Sequence, residues 1–236
     1  MNKTNGKTNR KAARNVGILF IATTVAAIIS GTFLLPIIEA PDYLAQVSAN
    51  ENEVVVGALF YFIMAAGCAS IAIPMYPILK KHNKALALGA VGFRLIEGAI
   101  FMVGVSCVLA LVTLSNGYVN AGAPNASYFQ TIGELLLAGY TIAHALVPGV
   151  FVFSIGALMY YYIFFRSKLV PRWLSIWGLI GIILGIVNVL LDLFGGIPNE
   201  TISMILDLPI FAQEMVLGVW LIVKGFNSSA IVSDDA

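Results

Sequence analysis

Arg94 and Glu97 are the only charged residues between Lys84 and Ser115. A run of that length and apolarity reads as a membrane-spanning helix, because a hydrocarbon core of about 30 Å is crossed by about 20 residues. Arg94 lies ten residues past Lys84, which at the helical rise puts it about 15 Å deep, near the bilayer centre. An arginine there costs roughly 3 kcal/mol on insertion scales, so it must face other helices and find a partner. Glu97, three residues on, shares its helical face and is the nearest candidate.

The whole chain is built in the same way. It is 59% hydrophobic and 11% charged, with a mean hydropathy of +0.91. Soluble domains carry about 25% charged residues. Its 236 residues hold about six spans with short connections and leave no room for a separate soluble domain. The expected fold is all-α: a polytopic bundle of six transmembrane helices over residues 15–225, with a basic cytoplasmic tail at 1–14 and a short one at 226–236.

The first fourteen residues carry Lys3, Lys7, Arg10, Lys11 and Arg14 and read as a mobile tail. The apolar run Val16–Ile38 exceeds a signal-peptide core of about 7–15 residues, so a retained first span is expected, although Gln46 to Ala49 could pass for a cleavage site. A polar loop from Pro36 to Glu53 precedes the second span, Val54–Leu79. A basic turn, Lys80 to Lys84, then leads into the span with Arg94. An uncharged loop from Asn116 to Gln130 follows. The next apolar run, Thr131–Phe165, would be about 50 Å long as one helix, too long for the core; either Pro148 kinks it or its outer part packs above the hydrocarbon. The fifth and sixth spans cover 173–193 and 201–223. Within the fifth, Gly181 and Gly185 form a small-residue pattern for close helix approach.

Of thirteen Lys and Arg, twelve fall on the N-terminal tail, the two basic turns and the anchor at Lys224, and only Arg94 does not. The positive-inside rule then places both termini in the cytoplasm, with the plasma membrane as the site. Tyr160, Tyr161, Tyr162, Phe164, Phe165, Trp173 and Trp177 flank the turn at Arg166 and read as an aromatic belt at that face.

Glu214 lies ten residues before Lys224, at the same depth of about 15 Å as Arg94. Arg94, Glu97 and Glu214 are therefore expected to form one buried ionic cluster, either setting helix register or binding an anion or proton. A second polar set lies toward the outer face: Tyr140 and His144 on the fourth span, Asn188 and Asp192 on the fifth, Asp207 on the sixth. These either line an outer polar vestibule or lie among headgroups. Cys68 and Cys107 stand about 18 Å and 35 Å from the basic face, too far apart to bridge. No catalytic motif, metal-ligand spacing or cofactor signature is present, so no catalytic residues, no metal and no cofactor are expected.

Three stretches, Phe93-Arg-Leu-Ile-Glu97, Phe165-Arg-Ser-Lys-Leu-Val-Pro-Arg-Trp-Leu174 and Glu214 to Gly225, together resemble a prokaryotic family of six-span membrane proteins, domain of unknown function 4386. The resemblance implies an integral membrane protein and supplies no activity. The reading that follows is a small transporter or permeation module. The alternatives are a non-catalytic membrane component acting by helix packing with a partner, and an intramembrane enzyme using His144. Its partners are the lipid bilayer and an unidentified small molecule or protein, not nucleic acid.

Overall fold

The computed structural model describes residues 3–121, 126–145, 147–195 and 200–231; the side chains of residues 3–8, 126, 144, 145, 147, 148 and 200 lie outside the described set. Eight α-helices occur among the described residues: α1 (Lys3–Ile38), α2 (Tyr43–Ala49), α3 (Glu51–Leu79), α4 (Lys84–Ala121), α5 (Ala126–Ala145), α6 (Val147–Ser167), α7 (Arg172–Leu193) and α8 (Glu200–Val223). Six of them, α1, α3, α4, α6, α7 and α8, are long and apolar enough to cross a membrane. The chain is a multi-pass membrane protein.

The six spans form a ring in chain order. α1 packs on α3, α3 on α4, α4 on α6, α6 on α7 and α7 on α8, and α8 closes back on α1. Short connections favour such neighbours, since consecutive helices tend to lie side by side. The closure between α1 and α8 is tight because both are glycine where they cross. A Cβ added to Gly17 would stand 2.5 Å from the Gly218 carbonyl oxygen.

Toward the basic end all six spans share one core, with Phe20, Met75, Tyr160, Phe164, Leu174 and Leu217 fully buried. Toward the other end the packing divides. There α1, α2, α3, α4 and α5 form a second core around Leu34, Tyr61, Val108 and Leu111, to which neither α7 nor α8 contributes. The outer halves of α7 and α8 lean on each other instead. An added Cβ at Gly181 would meet the Ile210 backbone at 2.9 Å, so the glycine pattern read from the sequence sits at the α7–α8 contact.

Three expectations are corrected by the structure: those for the basic tail, the loops and the aromatic belt. The run 131–165 is covered by α5, described to Ala145, and α6, described from Val147, with Pro148 in the first turn of α6. α5 lies against the outer part of α4, its Gly139 facing Cys107, while α6 takes the inner part, its Gly156 facing Phe93. The basic tail is helical from Lys3 onward, and Arg10 donates to the carbonyls of Val223 and Lys224, at 2.7 Å each. A cation there satisfies carbonyls that the end of α8 leaves unpaired. The expected loops are also partly helical, since α2 lies within 36–53 and α4 runs on to Ala121.

The third correction concerns the aromatic belt. Tyr160, Tyr161 and Phe164 are fully buried, whereas Tyr162 and Trp173 are exposed. Three of the aromatic residues before Arg166 therefore fill the core. The reason is geometric: residues at i, i+1 and i+4 of α6 occupy its inward stripe.

Candidate functional site

Between the two cores lies a polar layer. It begins on α4, where Arg94 and Glu97 are one helical turn apart and both buried. Arg94 Nη1 reaches both carboxylate oxygens of Glu97, at 3.1 and 3.0 Å. Its Nη2 donates to the Tyr160 hydroxyl on α6 at 2.9 Å and to Oε1 of Glu214 on α8 at 3.2 Å. The Tyr160 hydroxyl in turn donates to the same Oε1 at 3.5 Å. α4 and α6 approach closely enough for this because Gly156 has no side chain; an added Cβ would lie 3.0 Å from that of Phe93.

The guanidinium is also stacked. Its carbon lies 4.8 Å from the centre of the Phe153 ring, 5.6 Å from that of Tyr160 and 6.0 Å from that of Phe20. Cation–π contact with desolvated rings offsets part of the cost of burial. Next to this layer, Tyr161 bonds Gln213, whose amide donates to the Leu174 carbonyl at 3.0 Å. Groups from α4, α6, α7 and α8 are thus tied together by adjoining hydrogen bonds. The titratable and charged side chains around Glu214 are Arg94 and Glu97 from α4, Tyr160 and Tyr161 from α6, and Cys68 from α3.

The cluster has an open side. A cavity of about 690 Å³ extends from it toward the outer end, bounded by α1, α3, α4, α5, α6 and α8. Its walls are largely apolar and aromatic, with Tyr61, Phe101, Phe153 and Phe211 among them, and its floor is Arg94, Glu97 and Glu214. On α1, Thr23 and Thr24 line it, but their hydroxyls are turned back to carbonyls of their own helix at 2.8 to 3.0 Å. Glu214 is the charged group most open to it: its side chain is 18% exposed, against 2% for Arg94 and 3% for Glu97. Both hydrogen bonds that Glu214 receives from described residues end on Oε1, so Oε2 is left for another partner. Arg94 Nε is buried and has no hydrogen-bond partner among the described residues.

Of the residues singled out in the sequence, the structure brings together Arg94, Glu97 and Glu214, and it puts Tyr140 on the cavity wall with its ring 5.5 Å from that of Tyr61. The rest of the outer polar set is not gathered there. Asn188 donates to Asp207 at 2.8 Å between α7 and α8, and Asp192 is exposed. None of these three lines the cavity. The side chain of His144 lies outside the described residues. Among the described residues no three His, Cys, Asp or Glu side chains converge as metal ligands would.

Tyr160 is a member of the cluster that the sequence reading assigned to the belt. A signal for it existed. Helical side chains point toward the N-terminus of their helix, so the Arg94 head lies nearer the basic end than its Cα, while the Tyr160 hydroxyl reaches away from that end. The two meet although their Cα depths differ. Phe20 and Phe153 carried no comparable signal.

The chain matches, over residues 16–225, the family described as Domain of unknown function (DUF4386). No curated protein and no solved structure matches it.

Proposed function

The chain belongs to the DUF4386 family, and we propose that it acts as a small transporter or permeation module of the plasma membrane, with both termini in the cytoplasm. The observation that carries this reading is the cavity of about 690 Å³ that ends on a buried ionic cluster. A cluster needed only to fix helix register has no use for an open approach from outside. Ionisable groups placed within a membrane and facing a cavity usually serve a ligand or a proton.

The charge sum narrows the role of the cluster. One guanidinium between two carboxylates leaves a net negative charge when both are ionised, which a buried site balances with a proton or a cation. Both Nη atoms of Arg94 are engaged already, which leaves little with which to hold an anion. Glu214 therefore binds a proton or a cation.

A deletion strain profiled for lipids and metabolites tests the proposal. The wild-type chain should restore the altered content, and Glu214→Gln should not, at equal protein level in the membrane. Full restoration by Glu214→Gln would reduce the cluster to scaffolding and end the transport reading.

A further inference from the structure

The mouth of the cavity faces sideways. Its exposed rim is Ile28, Thr32, Leu35 and Pro36 on α1 and Phe211 on α8. Ile28 lies fourteen residues past Arg14, and Phe211 thirteen before Lys224. Both are therefore about 20 Å from the basic end, past the middle of the hydrocarbon, and the rim runs on along α1 to Pro36, about 33 Å from that end and at the outer edge of the core. Below this level α1 and α8 are locked together at Gly17 and Gly218. Above it they part. The Ser30 hydroxyl of α1 donates to the Gly57 carbonyl on α3 at 2.9 Å, while Asp207 of α8 is held by Asn188 of α7. The division of the outer core, with α7 and α8 on one side, is the same gap seen from within.

A solute that enters here comes from the lipid phase and must itself be largely apolar. At the floor it meets Oε2 of Glu214, which has no partner among the described residues, as the accessible charge, with Phe211 and Phe153 beside it. Carboxylate and aromatic rings together recognise a cation carried on an apolar body. Resting on the transport reading above, we infer that the cavity binds an amphiphilic organic cation, taken laterally from the outer half of the membrane between α1 and α8, with Glu214 as its counter-ion. A free cationic amphiphile and the ammonium headgroup of a membrane lipid share this chemistry.

Two probes of equal shape and opposite charge test it: tetraphenylphosphonium and tetraphenylborate, measured by equilibrium dialysis against the full chain in dodecyl maltoside. The expected result is saturable binding of the phosphonium near one per chain and none of the borate. Glu214→Gln should weaken phosphonium binding by about tenfold or more, a difference of the size one buried charge contact supplies. Ile28→Trp, which narrows the mouth without touching any charge, should weaken it too, so the inference does not rest on one variant that fails to fold. Ile183→Trp, on the exposed flank of α7, should bind like the wild type. Phosphatidylethanolamine added as competitor separates the two sources: displacement of the phosphonium assigns the site to a lipid headgroup, and its retention to a free cation. Saturable binding of the borate, or phosphonium binding indifferent to both Glu214→Gln and Ile28→Trp, overturns the inference. Neither result touches the transport reading, which the deletion strain decides separately.

Discussion

Arg94 is held by three polar groups and flanked by three aromatic rings; its loss leaves Glu97 and Glu214 without a cation, whereas loss of Glu214 leaves the arginine paired with Glu97. Removing one member of a buried ion pair typically costs about 3–5 kcal/mol. Arg94→Ala should lower the unfolding midpoint of the purified protein more than Glu214→Ala, which leaves the Arg94–Glu97 pair in place, and the double variant should lose less than the sum, because either single change already breaks the Arg94–Glu214 contact. Strict additivity in that cycle would mean the 3.2 Å contact carries no coupling. These residues were legible in the sequence because charges inside apolar runs are rare and their depth can be counted from flanking lysines. Tyr160 was not, since a tyrosine six residues before Arg166 suits a membrane interface as well as a core. His82, in the turn between α3 and α4, offers a second test. Its Nε2 is buried without a partner among the described residues, and burial pushes its pKa below the ordinary value. The unfolded chain therefore takes up this proton more readily. The contribution of His82 to stability is complete above about pH 6.5 and declines as the pH falls below it. Unfolding scans at pH 7.5 and 5.5 should show a smaller acid loss for His82→Gln than for the wild type, and equal losses would clear His82 of the effect.

At the scale of helices, the ring is closed by the absence of side chains. The crossing of α1 and α8 at Gly17 and Gly218 tolerates no methyl group, and overpacking of this kind costs about 1–3 kcal/mol. Gly92 on α4 faces open space instead, and there the gain in helix propensity should dominate. Gly17→Ala should therefore lower thermal stability in detergent while Gly92→Ala raises it slightly; a matched response would show that the crossing is not tight in solution. Helix ends were harder to read than helix existence. The spans announce themselves by length and apolarity, but their ends do not: α4 runs on to Ala121 past Asn116, Gly117 and Asn120, residues that suit a loop as well as a last helical turn. The outer polar set dispersed for a related reason. Asn188 and Asp192 are one turn apart in sequence, yet α7 turns Asn188 to α8 and leaves Asp192 exposed, and rotation about a helix axis depends on neighbours that spacing alone does not identify.

For the molecule as a whole, the division of basic residues and the ring order make one statement about threading. Six spans in chain order, α8 beside α1, put both chain ends on the same side as the turns at Lys80 to Lys84 and Arg166 to Arg172. In a background where Cys68 and Cys107 are replaced by serine, an impermeant maleimide added outside intact cells should label Asn120→Cys and spare Asn83→Cys. Labelling of Asn83→Cys alone would invert the protein in the membrane. The same ring also sets an order of events during synthesis. Glu214 follows Arg94 by 120 residues, so at about 5–20 residues per second the ribosome delivers the far carboxylate roughly 6–24 s after the arginine. For that interval α4 has to reside in the membrane with only what it brought itself. Glu97, one turn away and joined to the same guanidinium by two contacts, is the counter-ion already present. Glu97→Ala should therefore impair insertion of a truncated chain ending after α4, a product in which Glu214 does not yet exist, whereas Glu214→Ala should leave insertion intact and reduce only the yield of the closed ring.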